Sequence, residues 1–81
     1  MSTEPPFPPT QSTRSLVGAN IRRLRKARGL SQEKLGELAE CHRTYVSQLE
    51  RCRTNISVDR LGRIAQVLGV GVTDLLTESR T

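Results

Sequence analysis

The stretch Leu30–Arg51, LSQEKLGELAECHRTYVSQLER, decides the fold of this 81-residue chain. Ser31 stands where a side-chain oxygen can accept from free backbone N–H groups at a helix start, and Leu30 and Leu35 are spaced to close over that cap as a hydrophobic staple. A helix over 32–39 follows, with Leu35, Leu38 and Ala39 inward. Only Glu40, Cys41 and His42 intervene before apolar spacing resumes at Tyr45, Val46 and Leu49. That predicts a second helix over 43–51 and a tight corner between the two.

Working outward, Val17, Ile21, Leu24 and Ala27 keep the rhythm of an amphipathic helix over 16–28, and Gly29 sits where a left-handed terminating residue is needed. Downstream, Arg51-Cys52-Arg53-Thr54-Asn55 reads as a loop, and Ile56-Ser57 repeats the staple and cap. A helix over 58–68 then carries Leu61, Ile64, Ala65 and Leu68 inward and stops at Gly69. A short last helix over 74–77 has Thr73 as its cap and Asp74 in the first turn, where the helix dipole favours an anion. Val70 and Val72 alternate with glycines over too brief a run for a strand. The expected class is all-α, five helices in one domain over 14–78, preceded by a disordered proline-rich arm over 1–13 that holds all four prolines. The arm is either a plain tail or a segment that touches a partner.

A chain this short removes only roughly 60% of its unfolded surface from water, so a second copy is a natural supplement to a small core. The 13 Lys+Arg against 8 Asp+Glu give a formal charge of +5, which points to a polyanion, nucleic acid or an anionic membrane. Between Arg14 and Arg28 stand Arg14, Arg22, Arg23, Arg25, Lys26 and Arg28 with no acid among them. That face either attracts a polyanion at long range or is simply solvated. No run approaches the roughly 18 apolar residues of a membrane span, so neither a membrane nor a membrane partner is expected. Two cysteines and no signal-like apolar run suggest a reducing, cytoplasmic compartment.

Cys41, His42 and Cys52 lack a paired Cys-x-x-Cys and fall short of the four ligands of a structural zinc site, so no metal is expected. Cys41 reads as a small apolar residue before a helix cap, and His42 as that cap or a phosphate contact. With one histidine, no paired carboxylates and no glycine-rich phosphate loop, the chain is not expected to be an enzyme, and no catalytic residues, cofactor or small-molecule substrate are expected.

The helix over 43–51 leaves Arg43, Thr44, Ser47 and Gln48 on faces the core does not claim. A major groove about 12 Å wide admits one helix, and Arg, amide and hydroxyl side chains distinguish base edges there. Arg43, near the helix start, suits the O6 and N7 acceptors of guanine, and Thr44 suits a hydrogen bond or the thymine methyl. Tyr45 fills the core or leans on the sugar-phosphate backbone.

The runs Leu30 to Ala39, Arg43 to Arg51 and Leu61 to Leu76 resemble the phage-repressor and Cro type (XRE) of helix-turn-helix domain, over about residues 16–76. Within it, His42 to Arg51 followed by Arg53-Thr54-Asn55-Ile56-Ser57 is similar to the controller proteins of restriction-modification systems. The resemblance implies a compact five-helix, lambda-repressor-like DNA-binding domain. It implies a transcription regulator that binds a double-stranded, partly palindromic operator as a homodimer, activating or repressing its own and an endonuclease gene. Two dimers on adjacent sites and RNA polymerase are further candidate partners, and a bacterial, nucleoid-associated location follows. A phage or plasmid repressor or an antitoxin shares the fold. An adaptor that has lost DNA binding is the reading from another class.

Carried over, the family's base-reading positions fall on Arg43, Thr44 and Ser47, with Tyr45 and Gln48 beside them. Its phosphate contacts fall on Gln32 and Asn55, to which His42 and Arg53 are added, and its structural ion pair on Arg25 and Glu50. The dimer interface is expected at Val72, Leu75 and Leu76, which could otherwise cover the monomer's own core. Two recognition helices would then stand roughly 34 to 36 Å apart, one turn of duplex. Two positions depart from the family pattern: Glu40 at the corner and Cys52 after the third helix replace the usual glycine or asparagine. A left-handed backbone there costs a side-chain-bearing residue roughly 1 kcal/mol or more, so one of these turns is expected to be altered.

Overall fold

The computed structural model describes residues 10–78. They form α1 (Thr10–Ala27), α2 (Gln32–Leu38), α3 (Arg43–Glu50), α4 (Val58–Leu68) and α5 (Val72–Leu75), with no strand among the described residues.

Side chains start three of these helices. The Ser31 hydroxyl accepts from the Lys34 N–H at 2.9 Å and the Ser57 hydroxyl from the Arg60 N–H at 3.1 Å. His42 Nδ1 accepts from the Thr44 N–H at 3.0 Å. At α5 the cap is Gly71 and not Thr73. The Asp74 carboxylate reaches back to accept the Gly71 N–H at 2.9 Å, so the helix opens at Val72 rather than residue 74. A carboxylate at the third helical position can satisfy the N-cap donor in this way and moves the start upstream.

The first helix also starts earlier than its apolar rhythm suggests. Residues 10–13, assigned above to the arm, are α1's first turn. The last proline is Pro9, so every residue after it keeps its N–H, and an opening turn needs no inward apolar group. The rest of the expected arm, residues 1–9, lies outside the described residues.

All four longer helices end alike, with paired backward bonds that satisfy their last carbonyls. After α2 these are Glu40 N–H to Glu37 O at 3.3 Å and Cys41 N–H to Gly36 O at 2.8 Å. After α3 they are Cys52 N–H to Leu49 O at 3.1 Å and Arg53 N–H to Gln48 O at 2.9 Å. Each needs one left-handed residue. Gly29 and Gly69 supply it after α1 and α4, but Glu40 at φ 58° and Cys52 at φ 62° supply it elsewhere. The expectation that one of these turns would be altered is therefore wrong. Two recovered backbone bonds per turn offset a strain of about 1–2 kcal/mol, and Glu40 is further held by an ion pair to Arg63.

The core is Val17 and Ile21 of α1, Leu35 and Ala39 around α2, Val46 and Leu49 of α3, Leu61, Ile64, Ala65 and Leu68 of α4, and Leu75 of α5. Leu38, expected inward, is 46% exposed, because the face set by Leu35, Gly36 and Ala39 lies more than about a quarter turn away at 100° per residue. Ala27, likewise expected inward, is exposed at the end of α1, beyond its neighbours' reach.

Two glycines let backbone approach backbone, one at the corner and one between α1 and the end of α3. A Cβ on Gly36 would meet the Cys41 carbonyl oxygen at 2.6 Å, and one on Gly18 would meet the Leu49 carbonyl oxygen at 2.5 Å. The first lets the corner fold onto α2, and the second lets α1 lie against the end of α3. From α1, polar side chains also catch the ends of other helices. Asn20, 2% exposed, donates through Nδ2 to the Leu75 and Thr77 carbonyls, both at 2.9 Å. Arg28 Nε donates to the Leu68 carbonyl at 3.0 Å.

Candidate nucleic-acid interface

Val46 is fully buried and Leu49 is 4% exposed, which anchors α3 along one side. On its outer side Arg43, Thr44 and Gln48 are exposed and Ser47 is half-buried. A helix pinned from behind that projects a guanidinium, an amide and hydroxyls has the shape and hydrogen-bonding groups to enter a major groove. Arg43 leans toward Glu33 at 3.5 Å with both side chains largely exposed. Such a pair contributes at most about 1 kcal/mol and yields readily to another acceptor.

The inner end of α3 is tied down by charge. Glu50, whose side chain is 1% exposed, accepts from Arg25 Nε at 2.7 Å, Arg25 Nη2 at 3.0 Å and Gln32 Nε2 at 3.0 Å. The remaining arm of Arg25 donates to the Leu30 carbonyl at 2.8 Å. The hydrogen bonds to Glu50 hold the Arg25 pKa above its ordinary value, outweighing the burial that would lower it. This cluster joins α1, the start of α2 and the end of α3, and it takes Arg25 out of the basic surface. Gln32 thus has one amide hydrogen committed within the protein.

Tyr45 packs against the core from its edge. It is half-buried, its hydroxyl donates to the Asn55 carbonyl at 3.0 Å, and the Arg60 guanidinium lies 5.1 Å from its ring centroid. Burial pushes the Tyr45 phenol above its usual range, partly offset by the positive charge of Arg60. Asn55 and Arg53 are exposed in the loop after α3, and His42 is exposed at the corner with Nδ1 committed to its cap.

At the other end of the molecule Val72 and Leu76 are 38% and 44% exposed, but Leu75 is 0% exposed. Leu75 is therefore a core residue of the monomer and is removed from the expected dimer surface. Asn20 of α1 also holds its backbone carbonyl.

Sequence reasoning missed Asn20, Gly18, Gly36 and the Tyr45–Arg60 contact. Asn20 had a signal, a polar residue directly before Ile21 within an otherwise apolar stripe. The glycines had none, since only the packed backbone shows what a methyl would strike. Among the described residues no cluster of His, Cys, Asp or Glu could hold a metal ion, and no helix is long and apolar enough to cross a membrane.

A family model described as helix-turn-helix, HTH_3, matches residues 21–75. The control protein C.BamHI of Bacillus amyloliquefaciens is 41% identical over 68 residues, covering 83% of this chain and 84% of that protein. The solved restriction-modification controller protein C.AhdI of Aeromonas hydrophila superposes with a TM-score of 0.76 at 34% identity, over 80% of this chain and 94% of the other. The biofilm master regulator SinR, solved in complex with DNA, superposes with a TM-score of 0.71 at 37% identity, over 75% and 98%.

Proposed function

The chain belongs to the HTH_3 helix-turn-helix family of DNA-binding transcription regulators, and from that premise we propose that it is the controller protein of a restriction-modification system, acting as a homodimer on a partly palindromic operator. It is a regulator and not an enzyme. The observation that carries the reading is the row Arg43, Thr44, Ser47 and Gln48 on the outer side of a helix anchored by Val46 and Leu49.

In this reading Arg43 reads guanine, Thr44 and Ser47 contact neighbouring base edges, and Gln48 supports them. Gln32, Asn55, Arg53 and the free ring nitrogen of His42 hold phosphates on either side. Val72 and Leu76 supply the two-fold contact, which leaves two α3 helices on one face of the duplex. Likeness to C.BamHI and C.AhdI supports the controller assignment; our reading adds a cytoplasmic protein, on the nucleoid when bound, that pairs dimers on adjacent sites and meets RNA polymerase.

Titrating the protein against the DNA upstream of its own gene and against random duplex tests this. Arg43→Ala should lower the discrimination between the two by the worth of one bidentate pair, about 1–3 kcal/mol per half-site. Log K should fall steeply with log salt as phosphates are neutralised. Unchanged discrimination in the variant would remove Arg43 from its role. A flat salt response would remove DNA as the partner.

A further inference from the structure

Three features converge behind the recognition helix that base reading does not use. The Tyr45 hydroxyl, in the first turn of α3, donates to the backbone carbonyl of Asn55 at 3.0 Å, ten positions away in the loop. Arg60, in the first turn of α4, stacks on the same ring at 5.1 Å and donates to the Glu40 carbonyl at 3.4 Å. Glu40 is itself the left-handed corner residue, paired with Arg63 of α4. The corner, the recognition helix, the loop and the start of α4 are thus linked through one aromatic ring.

We propose that Tyr45 and Arg60 form a strut that fixes the distance between the base-reading face of α3 and the loop that carries Asn55, making Tyr45 a positioning residue for DNA binding and not a reader of bases. The proposal rests on the reading above, in which Asn55 meets a phosphate. The physical ground is the rigidity of the partner. In B-form DNA the depth of the major groove below its flanking phosphates is nearly the same in every sequence, so a protein that seats a helix in the groove and a loop on the phosphate gains full affinity on any duplex only if helix and loop are held at that separation. The loop 53–57 has no regular structure to hold it. Leu49 and Gln48 fix its beginning through the turn at Cys52, and the Ser57 cap fixes its end. Between them, the bond from Tyr45 is the side-chain hydrogen bond that reaches the Asn55 backbone.

A base reader and a strut differ in what they do to discrimination. Loss of a base contact weakens binding to the preferred sequence alone. Loss of a strut weakens every duplex alike, because phosphates are the same in all sequences.

The test uses the full chain and two duplexes, one enriched by the wild-type protein from a random-sequence library and one of scrambled sequence. Tyr45→Phe keeps the ring and its stack on Arg60 but removes the donor. It should weaken binding to both duplexes by the same factor, about three- to tenfold for one hydrogen bond, with the ratio between them unchanged. Asn55→Ala removes the side chain that the strut positions, and the double variant Tyr45→Phe/Asn55→Ala should bind no more weakly than Asn55→Ala alone. Thermal melting of each free variant separates lost positioning from lost folding, and Arg60→Ala, which keeps the hydroxyl but removes the stack, should reproduce the Tyr45→Phe pattern in weaker form. A fall in discrimination with Tyr45→Phe would make Tyr45 a base reader and overturn the proposal. Additive losses in the double variant would overturn it equally. If the wild-type protein enriches no sequence at all, the DNA-binding reading itself fails, and the proposal with it.

Discussion

Glu50→Gln is the single substitution with the largest effect worked from this structure. Glu50 lies at the end of α3 with its side chain 1% exposed, and its two oxygens accept three hydrogen bonds, two from Arg25 and one from Gln32. The amide keeps the shape but puts an NH2 against donors and removes the charge that balances a guanidinium whose own side chain is 10% exposed. Removing one partner of a buried pair costs about 3–5 kcal/mol, because the other charge stays in the interior uncompensated. A domain this size holds roughly 4–12 kcal/mol in total, so the variant should lose about a quarter or more of its stability. Each kcal/mol moves the melting temperature of a domain this size by about 4–8 °C. The assay is urea unfolding followed by circular dichroism, comparing Glu50→Gln with the double variant Arg25→Met/Glu50→Leu. The double variant should recover most of the loss, since an apolar pair of similar volume needs no compensation. A loss below about 1 kcal/mol in the single variant would refute the argument, as it would mean that water reaches the pair and screens it.

Gly36→Ala should destabilise by about 1–3 kcal/mol in the same assay, since its methyl would meet the Cys41 carbonyl oxygen at 2.6 Å and neither backbone can move without opening the corner. Glu40→Gly removes the left-handed strain at φ 58° but also the ion pair to Arg63 and some restriction of the unfolded chain. Its net effect should be a gain of up to about 1 kcal/mol, and a loss of stability on urea unfolding would show that the exposed pair outweighs the strain. For Tyr45 the folded-state pKa is raised above its unfolded value of 10.0, so the fold favours the neutral phenol. Its contribution is complete below the unfolded pKa and disappears as pH rises through the raised folded value. A phenolate absorbance titration should therefore show ionisation at higher pH in the native than in the denatured protein, and Tyr45→Phe should lack that component of alkaline destabilisation.

What was legible in the sequence was whatever local chemistry decides. Ser31 and Ser57 announce their caps, Gly29 and Gly69 their stops, and the spacing of Leu61, Ile64, Ala65 and Leu68 marks the buried side of α4. The all-α class follows from these signals together. Periodicity failed at helix edges, at Leu38, Ala27 and residues 10–13, where a residue's burial depends on how far its neighbours extend. At Leu75 the family resemblance favoured a dimer contact over the alternative of covering the monomer's own core, and the residue is fully buried there. The Arg25–Glu50 link came with the family resemblance and not from spacing, since nothing local joins residues 25 apart. At Glu40 and Cys52 composition argued against left-handed turns that the helix-end hydrogen bonds nonetheless form. Propensity lost to carbonyls that had no other partner.

The long-range polar bonds of α1 carry one more consequence. Asn20 and Arg28 grip backbone oxygens, and Arg25 grips Leu30 O and a glutamate at the far end of α3. None of them touches Arg43, Thr44, Ser47 or Gln48. Exchanging the exposed Arg43, Thr44 and Gln48 among these shifts stability by only about half a kcal/mol either way. In the proposed reading, the molecule is therefore a chassis with an interchangeable reading head. New DNA preferences can be grafted onto those three exposed positions, or drift there over generations, while folding stays the same.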